Sequence, residues 1–390
     1  MDIQLPISVN KCLKTLEKAG VQAYLVGGCV RDMMMGQTPH DYDITVNTSP
    51  DTVKSLFRRT FDTGLKHGTV TVLIDGEPIE ITEMRTDGDY SDHRHPNSVT
   101  PTKNLSDDLA RRDFTVNAMA MDRQGSVTDI FGGREDIERG IIRCVGDPNR
   151  RFDEDALRIM RAFCFCSQLG FALDDGTQKA ALQNAPLLDN ISAERIYAEL
   201  KKTLCGNNPA ALAPLILTNA LEKYGMLGDV DLSALNGSYN DIRVRLAALF
   251  IICGSDVMRA MKALKSDKAT AKTVFALTWL YRKNALCGIN AIGLKQLIFD
   301  NGLDFCELLI KLYDAFGNSD GMRTACMYNV VKTLPIFIDD LAIKGRDLHN
   351  IGIRGEKVGK TLNMLLKKVW ENPKLNKRNT LIDIAKSVGL

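Results

Sequence analysis

The chain has 390 residues, a formal net charge of +2, 45% hydrophobic and 25% charged residues, the composition of a soluble globular protein of roughly two to four domains. So small a surplus excludes a strongly cationic polyelectrolyte, and any affinity for nucleic acid must come from local patches. The longest apolar run, near 246–253, is far too short to cross a membrane, and the opening MDIQLPISVNK predicts no signal peptide. The ten cysteines include no C-x-x-C, and the histidines do not cluster with them, apart from His93 and His95 in an apparent loop. Reduced thiols in a cytoplasmic protein are expected, and no zinc site.

Strand and helix signals alternate up to about Val145. Ala23-Tyr24-Leu25-Val26 reads as a short strand running into Gly27-Gly28 and a helix that starts near Cys29, with Arg31 in its first turn. The glycines let backbone N–H groups approach a triphosphate, the helix N-terminus favours the same anion, and Arg31 reaches phosphate oxygens. A tight turn needing positive φ is the plainer alternative. Next, Tyr42, Ile44 and Val46 alternate with Asp41, Asp43 and Thr45, so both carboxylates leave one face of a half-buried strand. They repel unless a cation lies between them. Such hard oxygen ligands suit Mg²⁺, and two ions about 4 Å apart would activate a hydroxyl and stabilise a leaving pyrophosphate. A merely acidic exposed face is the alternative. Residues 69–74 and 79–84 are two further strands joined through Asp75-Gly76, a hairpin signal, with Glu80 as a third acid. Residues 86–103, TDGDYSDHRHPNSVTPTK, lack periodicity and read as a long functional loop.

Beyond Asp147-Pro148 the strand signals vanish and helix follows helix, with breaks at Asn207-Asn208-Pro209, Asn236-Gly237-Ser238, Asn318-Ser319-Asp320-Gly321 and Asn372-Pro373. The expected fold class is α+β, a small mixed sheet with helices followed by an all-helical remainder. If 150–166, RRFDEDALRIMRAFCFC, is one helix, then Arg151, Glu154, Asp155, Arg158 and Arg161 share an arc of about 120°. An ion-paired surface helix gives the same wheel. An Asp–Arg pair can also read a base: cytosine and adenine each offer an exocyclic amine beside a ring-nitrogen acceptor. Uracil and guanine present the reverse polarity, at a cost of about 1–3 kcal/mol per unpaired group. Finally, residues 341–390 hold eleven cations against four acids, which suits either phosphate binding or a solvated face.

Gly-Gly, arginine and D-x-D in this order resemble the nucleotidyltransferase core of the DNA polymerase β superfamily; no Walker loop occurs. LVGGCVRD, HDYDI, ARRDFTVNAMAMD, DIFGGREDIERGIIRCVGDP, RFDEDALRIMRA and NISAERIYAELKKTL follow, in order, the bacterial class II tRNA nucleotidyltransferases, the CCA-adding enzymes. IKGRDLHNIGIRGEKVGKTL is similar to their C-terminal tRNA-binding domain. The resemblance implies a nucleotidyltransferase head at 1–145, a helical neck carrying the base template at 146–206, a helical body at 207–335 and a basic tRNA-binding tail at 336–390. It implies addition of C, C and A to the tRNA 3′ end from CTP and ATP, with Mg²⁺ on Asp41 and Asp43. Gly28, Arg31 and Arg112 would contact the nucleotide, Asp155 and Arg158 would template its base, and Arg161 would support the template or the triphosphate. Cys164 stands where family members commonly carry another arginine, and no H-D metal-hydrolase motif follows the core. The rivals are an A-only enzyme, a poly(A) polymerase, from which the missing basic extension would separate this chain, and a non-catalytic RNA-binding module. A CC-only enzyme would be expected to lack the 86–103 loop.

Overall fold

The computed structural model describes residues 5–64, 68–88, 90, 93, 96–237 and 239–388; His95, part of the 86–103 loop (89, 91, 92, 94, 95) and both chain ends lie outside the described residues. Two units can be distinguished, 1–230 with 263–265, and 231–262 with 266–390.

The first unit opens with α1 (Ile7–Lys18), whose Val9, Cys12, Leu13 and Leu16 fall at the i, i+3, i+4, i+7 spacing of one buried stripe. Then come β1 (Ala23–Val26), α2 (Gly28–Met34), β2 (Asp43–Val46), α3 (Pro50–Leu56), β3 (Thr60–Gly64), β4 (Thr69–Ile74) and β5 (Glu77–Glu83). The β4–β5 hairpin turns at Asp75 and Gly76, both with positive φ (54° and 90°), as the Asp-Gly pair predicts. Short strands β6 (Arg85–Asp87) and β7 (Val99–Pro101) pair at the base of the 86–103 loop, so its ends are strand and not coil. After α4 (Leu105–Ala110) come β8 (Met119–Met121), β9 (Val127–Asp129), α5 (Gly133–Arg139) and β10 (Ile141–Ile142). The main sheet has the order β3-β4-β5-β2-β1-β8-β9. Only β2 and β5 run parallel in it, which makes it mixed as expected.

Three further sequence expectations need correction. The strand carrying the acids starts at Asp43, not before Asp41. Its neighbour β1 ends at Val26, opposite Asp43, and Gly27 then turns away at φ +75°, so Asp41 has no strand to pair with on the β1 side. The 150–166 helix is also not continuous. It consists of α6 (Pro148–Glu154) and α7 (Leu157–Leu169), broken at Asp155, whose backbone is extended (φ −139°, ψ 102°). Its Oδ1 accepts from the Leu157 N–H at 3.1 Å, the local competition with helix that short acidic side chains offer. A two-residue strand β11 (Ala172–Leu173), parallel to β10, follows where only helix was expected. Then α8 (Asp175–Gln183), α9 (Ala193–Leu204) and α10 (Ala213–Leu217) complete the unit.

The second unit is helical: α11 (Ile242–Ile252), α12 (Val257–Ala263), α13 (Lys268–Arg282), α14 (Ala291–Asn301), α15 (Leu303–Ala315), α16 (Ser319–Val331), α17 (Gly345–Asn350), α18 (Glu356–Glu371) and α19 (Arg378–Val388). Residues 244–250 of α11 are all buried, the signature of a central helix. Leu348, Leu365, Val369, Trp370 and Leu381 form a core with Phe299 of α14 packed on it. Buried Lys295 donates to the Trp370 carbonyl at 2.8 Å. The cations of 341–390 stand on the outside. No helix among the described residues is long and apolar enough to cross a membrane.

Candidate active site

Gly27 is the pivot of the site. Its φ of +75° suits glycine, and a Cβ added there would lie 3.2 Å from Arg112 Nη1 and 3.8 Å from Asp43 Oδ2. A side chain here would thus wedge between a cation and a carboxylate. Gly28 faces the Arg31 guanidinium, whose Nη2 would lie 3.5 Å from a Cβ added at that position. The two glycines, Arg31, Asp43 and Arg112 therefore meet at one place, although Arg112 is distant in sequence.

Asp43 heads β2 opposite Glu80 of β5. Its tip is open to solvent, yet its pKa lies above the ordinary carboxylate value. The surrounding protein desolvates it, Glu80 repels it, Arg112 opposes the rise, and Asp41 adds to it. That is an under-neutralised acidic recess, which a divalent cation would relieve. Asp41 is 85% exposed in its side chain and touches His40 at 3.1 Å. Among the described residues no three of His, Cys, Asp and Glu gather so as to hold a metal. A metal here would rest on Asp41 and Asp43, with water and triphosphate oxygens completing its shell, as Mg²⁺ tolerates.

The arginines are held by acids that the sequence reading did not single out. Asp108, fully buried, takes Arg111 Nη2 at 2.7 Å and Arg112 Nη2 at 3.2 Å. Burial alone would raise its pKa, but the two cations bring it below the usual range. Arg161 donates to Asp113 Oδ2 through Nε and Nη2 (2.9 and 2.6 Å). Asp113 is likewise held low against its burial by Arg161. Asn117 donates to Asp113 (3.2 Å) and accepts from Arg31 Nη1 (2.8 Å), while Asp32 takes Arg31 Nε and Nη2. The chain Asp32–Arg31–Asn117–Asp113–Arg161 thereby ties α2, the RRDFTVN segment and α7 together. Asp113 and Asn117 lie in a quoted motif; Asp108 carries no sequence signal because burial cannot be read at one position.

The two residues expected to template the base are separately engaged. Asp155 accepts from Arg195 Nη2 at 3.3 Å, and Arg158 donates to Glu154 Oε2 (2.8 Å) and to the carbonyls of Arg151 and Arg111 (both 3.0 Å). Their side chains do not pair with each other. Cys164 is buried and its thiol is pushed up to about 12, by burial first and then by Glu199. Glu199 draws its cation from Lys202, 2.9 Å away, so position 164 brings no charge to the site. None of the ten cysteines forms a disulfide.

A mixed sheet that brings a Gly-Gly turn, paired acids and several arginines to one end of its central strands defines a nucleotidyltransferase head. Residues 23–143 match the Poly A polymerase head domain family, 170–223 the family described as the probable RNA and SrmB-binding site of polymerase A, and 240–385 tRNA nucleotidyltransferase domain 2. The CCA-adding enzyme of Leuconostoc mesenteroides is 37% identical, over 98% of this chain and 97% of that one. That of Geobacillus thermodenitrificans is 50% identical over 212 residues, 54% of this chain and 52% of the other. The crystal structure of the Bacillus stearothermophilus CCA-adding enzyme in complex with CTP superposes with a TM-score of 0.77 at 32% identity, covering 97% of each chain. This chain belongs to the CCA-adding enzyme family.

Proposed function

We propose that the protein adds C, C and A to the 3′ end of tRNA from CTP and ATP without a nucleic-acid template, releasing pyrophosphate. The observation that carries this reading is the meeting of Gly27, Asp43 and Arg112 at the head of α2, with Arg31 one turn on. In this reading Gly28, Arg31, Arg112 and Arg161 bind the nucleotide, with the arginines on its triphosphate. Asp41 and Asp43 would hold Mg²⁺, which when bound would activate the terminal tRNA hydroxyl and neutralise charge on the pyrophosphate. Asp155 and Arg158 read the base once each releases its resting partner. A cytoplasmic location and the four-part division into head, neck, body and tail belong to the same reading. A-only addition and poly(A) polymerisation are not favoured, since the relative matched over nearly its full length is a CCA-adding enzyme. The direct test uses tRNA transcripts ending at the discriminator base, in -C-C or in -C-C-A, each with single labelled nucleotides and Mg²⁺. Addition of two C to the first, one A to the second and nothing to the third is expected; A added to the second with no C added to the first refutes it.

The tail is the expected tRNA-phosphate surface. Cutting at Leu341 would strip the core packed on Phe299 and leave Lys295 without its Trp370 carbonyl, so substitution is the better probe. Replacing exposed Lys357, Lys367 and Lys374 with glutamine should weaken tRNA binding and flatten its salt dependence, by about 0.7–0.9 in log–log slope for each phosphate no longer neutralised. An unchanged slope would mark the tail as a solvated face.

The loop 86–103 is assigned the switch from C to A. The His93 carbonyl accepts from Ala156 N–H at 3.1 Å, beside the template residue Asp155. Thr86, Asp87 and Tyr90 line a cavity of about 370 Å³ together with Arg150, Arg151 and Glu154. Deleting 89–97 should leave CC addition near normal and block the terminal A; end-group analysis yielding full -C-C-A product would refute this.

A further inference from the structure

Phe165 has no part in the reading above, yet both Arg31 and Arg161 converge on it. The Arg31 guanidinium carbon lies 5.4 Å from its ring centroid and that of Arg161 5.1 Å. Phe165 sits one helical turn after Arg161 on α7, so the two side chains share a face, whereas Arg31 comes from α2. Phe114 braces the ring edge-on at 5.6 Å and 78°. The ring is only half-buried, so packing by itself does not account for its placement.

Two guanidiniums drawn to one ring repel each other, and the negative π face offsets part of that repulsion. The ring also fixes the guanidinium planes without consuming an N–H. Of five donors on each arginine, Arg31 spends three, on Asp32 and Asn117, and Arg161 spends two, on Asp113. The remainder are free to meet phosphate oxygens, provided the planes are held.

We propose that Phe165 is a positioning residue for the nucleotide triphosphate, its ring orienting Arg31 and Arg161 together. This rests on the reading that those two arginines bind the triphosphate. Because every nucleoside triphosphate presents the same phosphates, Phe165 acts equally on CTP and ATP and leaves base choice alone.

The test measures KM and kcat of the full-length protein for CTP on tRNA ending at the discriminator, and for ATP on tRNA ending in -C-C. Phe165→Leu should raise KM for both nucleotides by the same factor, about five- to tenfold, with kcat within about twofold and the ratio of C and A to U and G incorporation unchanged. Phe165→Tyr, which keeps the ring face, should restore KM. Phe165→Met, whose unbranched flexible side chain adapts to the space left by the ring, replaces the leucine variant if that one does not fold. In an Arg161→Lys background, which keeps charge but loses the planar fork, the Phe165 effect should shrink. Additive effects in that cycle, a shift confined to one nucleotide, or a fall in melting temperature with KM unmoved would each overturn the proposal. Arg31→Ala is the separate control. If it raises KM while Phe165→Leu does not, the proposal fails and the triphosphate reading stands; if Arg31→Ala leaves KM unmoved, that reading itself fails.

Discussion

Asp43→Asn should abolish nucleotide transfer, by on the order of a thousandfold or more, while making the metal-free protein slightly harder to melt. Asparagine keeps the shape of the side chain at the head of β2 and removes the charge that a cation would bind. The opposite sign of the two effects follows from the crowding around Asp43. Desolvation and the nearby Glu80 and Asp41 raise its pKa, with only Arg112 opposing. Asp43 therefore holds its proton more tightly in the folded than in the unfolded chain. Its contribution to stability is fully present below the unfolded carboxylate pKa and is lost as pH rises through the folded value. At neutral pH the charged side chain is a burden that asparagine lifts. Solvent at the carboxylate tip screens the effect, so the rise in melting temperature is about 1–2 °C. The difference should close as pH falls below the carboxylate range. Mg²⁺ should stabilise the wild type and not the variant. A variant that transfers nucleotides at near wild-type rate would refute the carboxylate mechanism, and one melting lower at neutral pH would refute the crowding.

Arg158→Ala should act mainly on folding. The arginine is buried and satisfies Glu154 together with the carbonyls of Arg151 and Arg111. Removing it leaves Glu154 on Arg151 and Arg150 alone and two carbonyls without this donor, at a cost of about 2–3 kcal/mol. Loss of discrimination against UTP and GTP in that variant would then be hard to separate from a loosened neck. Asp155→Ala is the cleaner probe. It gives up one local cap to Leu157 and one contact with Arg195, worth about 1 kcal/mol, yet it removes the acceptor proposed to meet the amine of C or A. Misincorporation ratios for all four nucleotides should rise for U and G in Asp155→Ala at little cost in melting temperature. Unchanged ratios in the folded variant would place base reading elsewhere.

The local motifs were legible along the chain. Gly27-Gly28, the Asp41/Asp43 pair, the Asp75-Gly76 turn and the EDALR run were readable because each requires fixed residue types at short spacing. The α+β head followed by helices was readable for the same reason, since a period of two or of 3.6 is a property of neighbours along the chain. The start of the acid-bearing strand and the break at Asp155 were not readable. The first depends on where β1 stops pairing, the second on a side chain outcompeting the helix at one residue. Which partner holds each charge emerged only from the folded arrangement. Arg31 reaches Asn117 across 86 residues, Arg161 reaches Asp113 across 48, and Arg195 rather than Arg158 reaches Asp155, across 40. A side-chain charge announces that it needs a partner, but the partner's identity depends on where sheet and helices bring distant backbone together, and no periodicity along the chain encodes that.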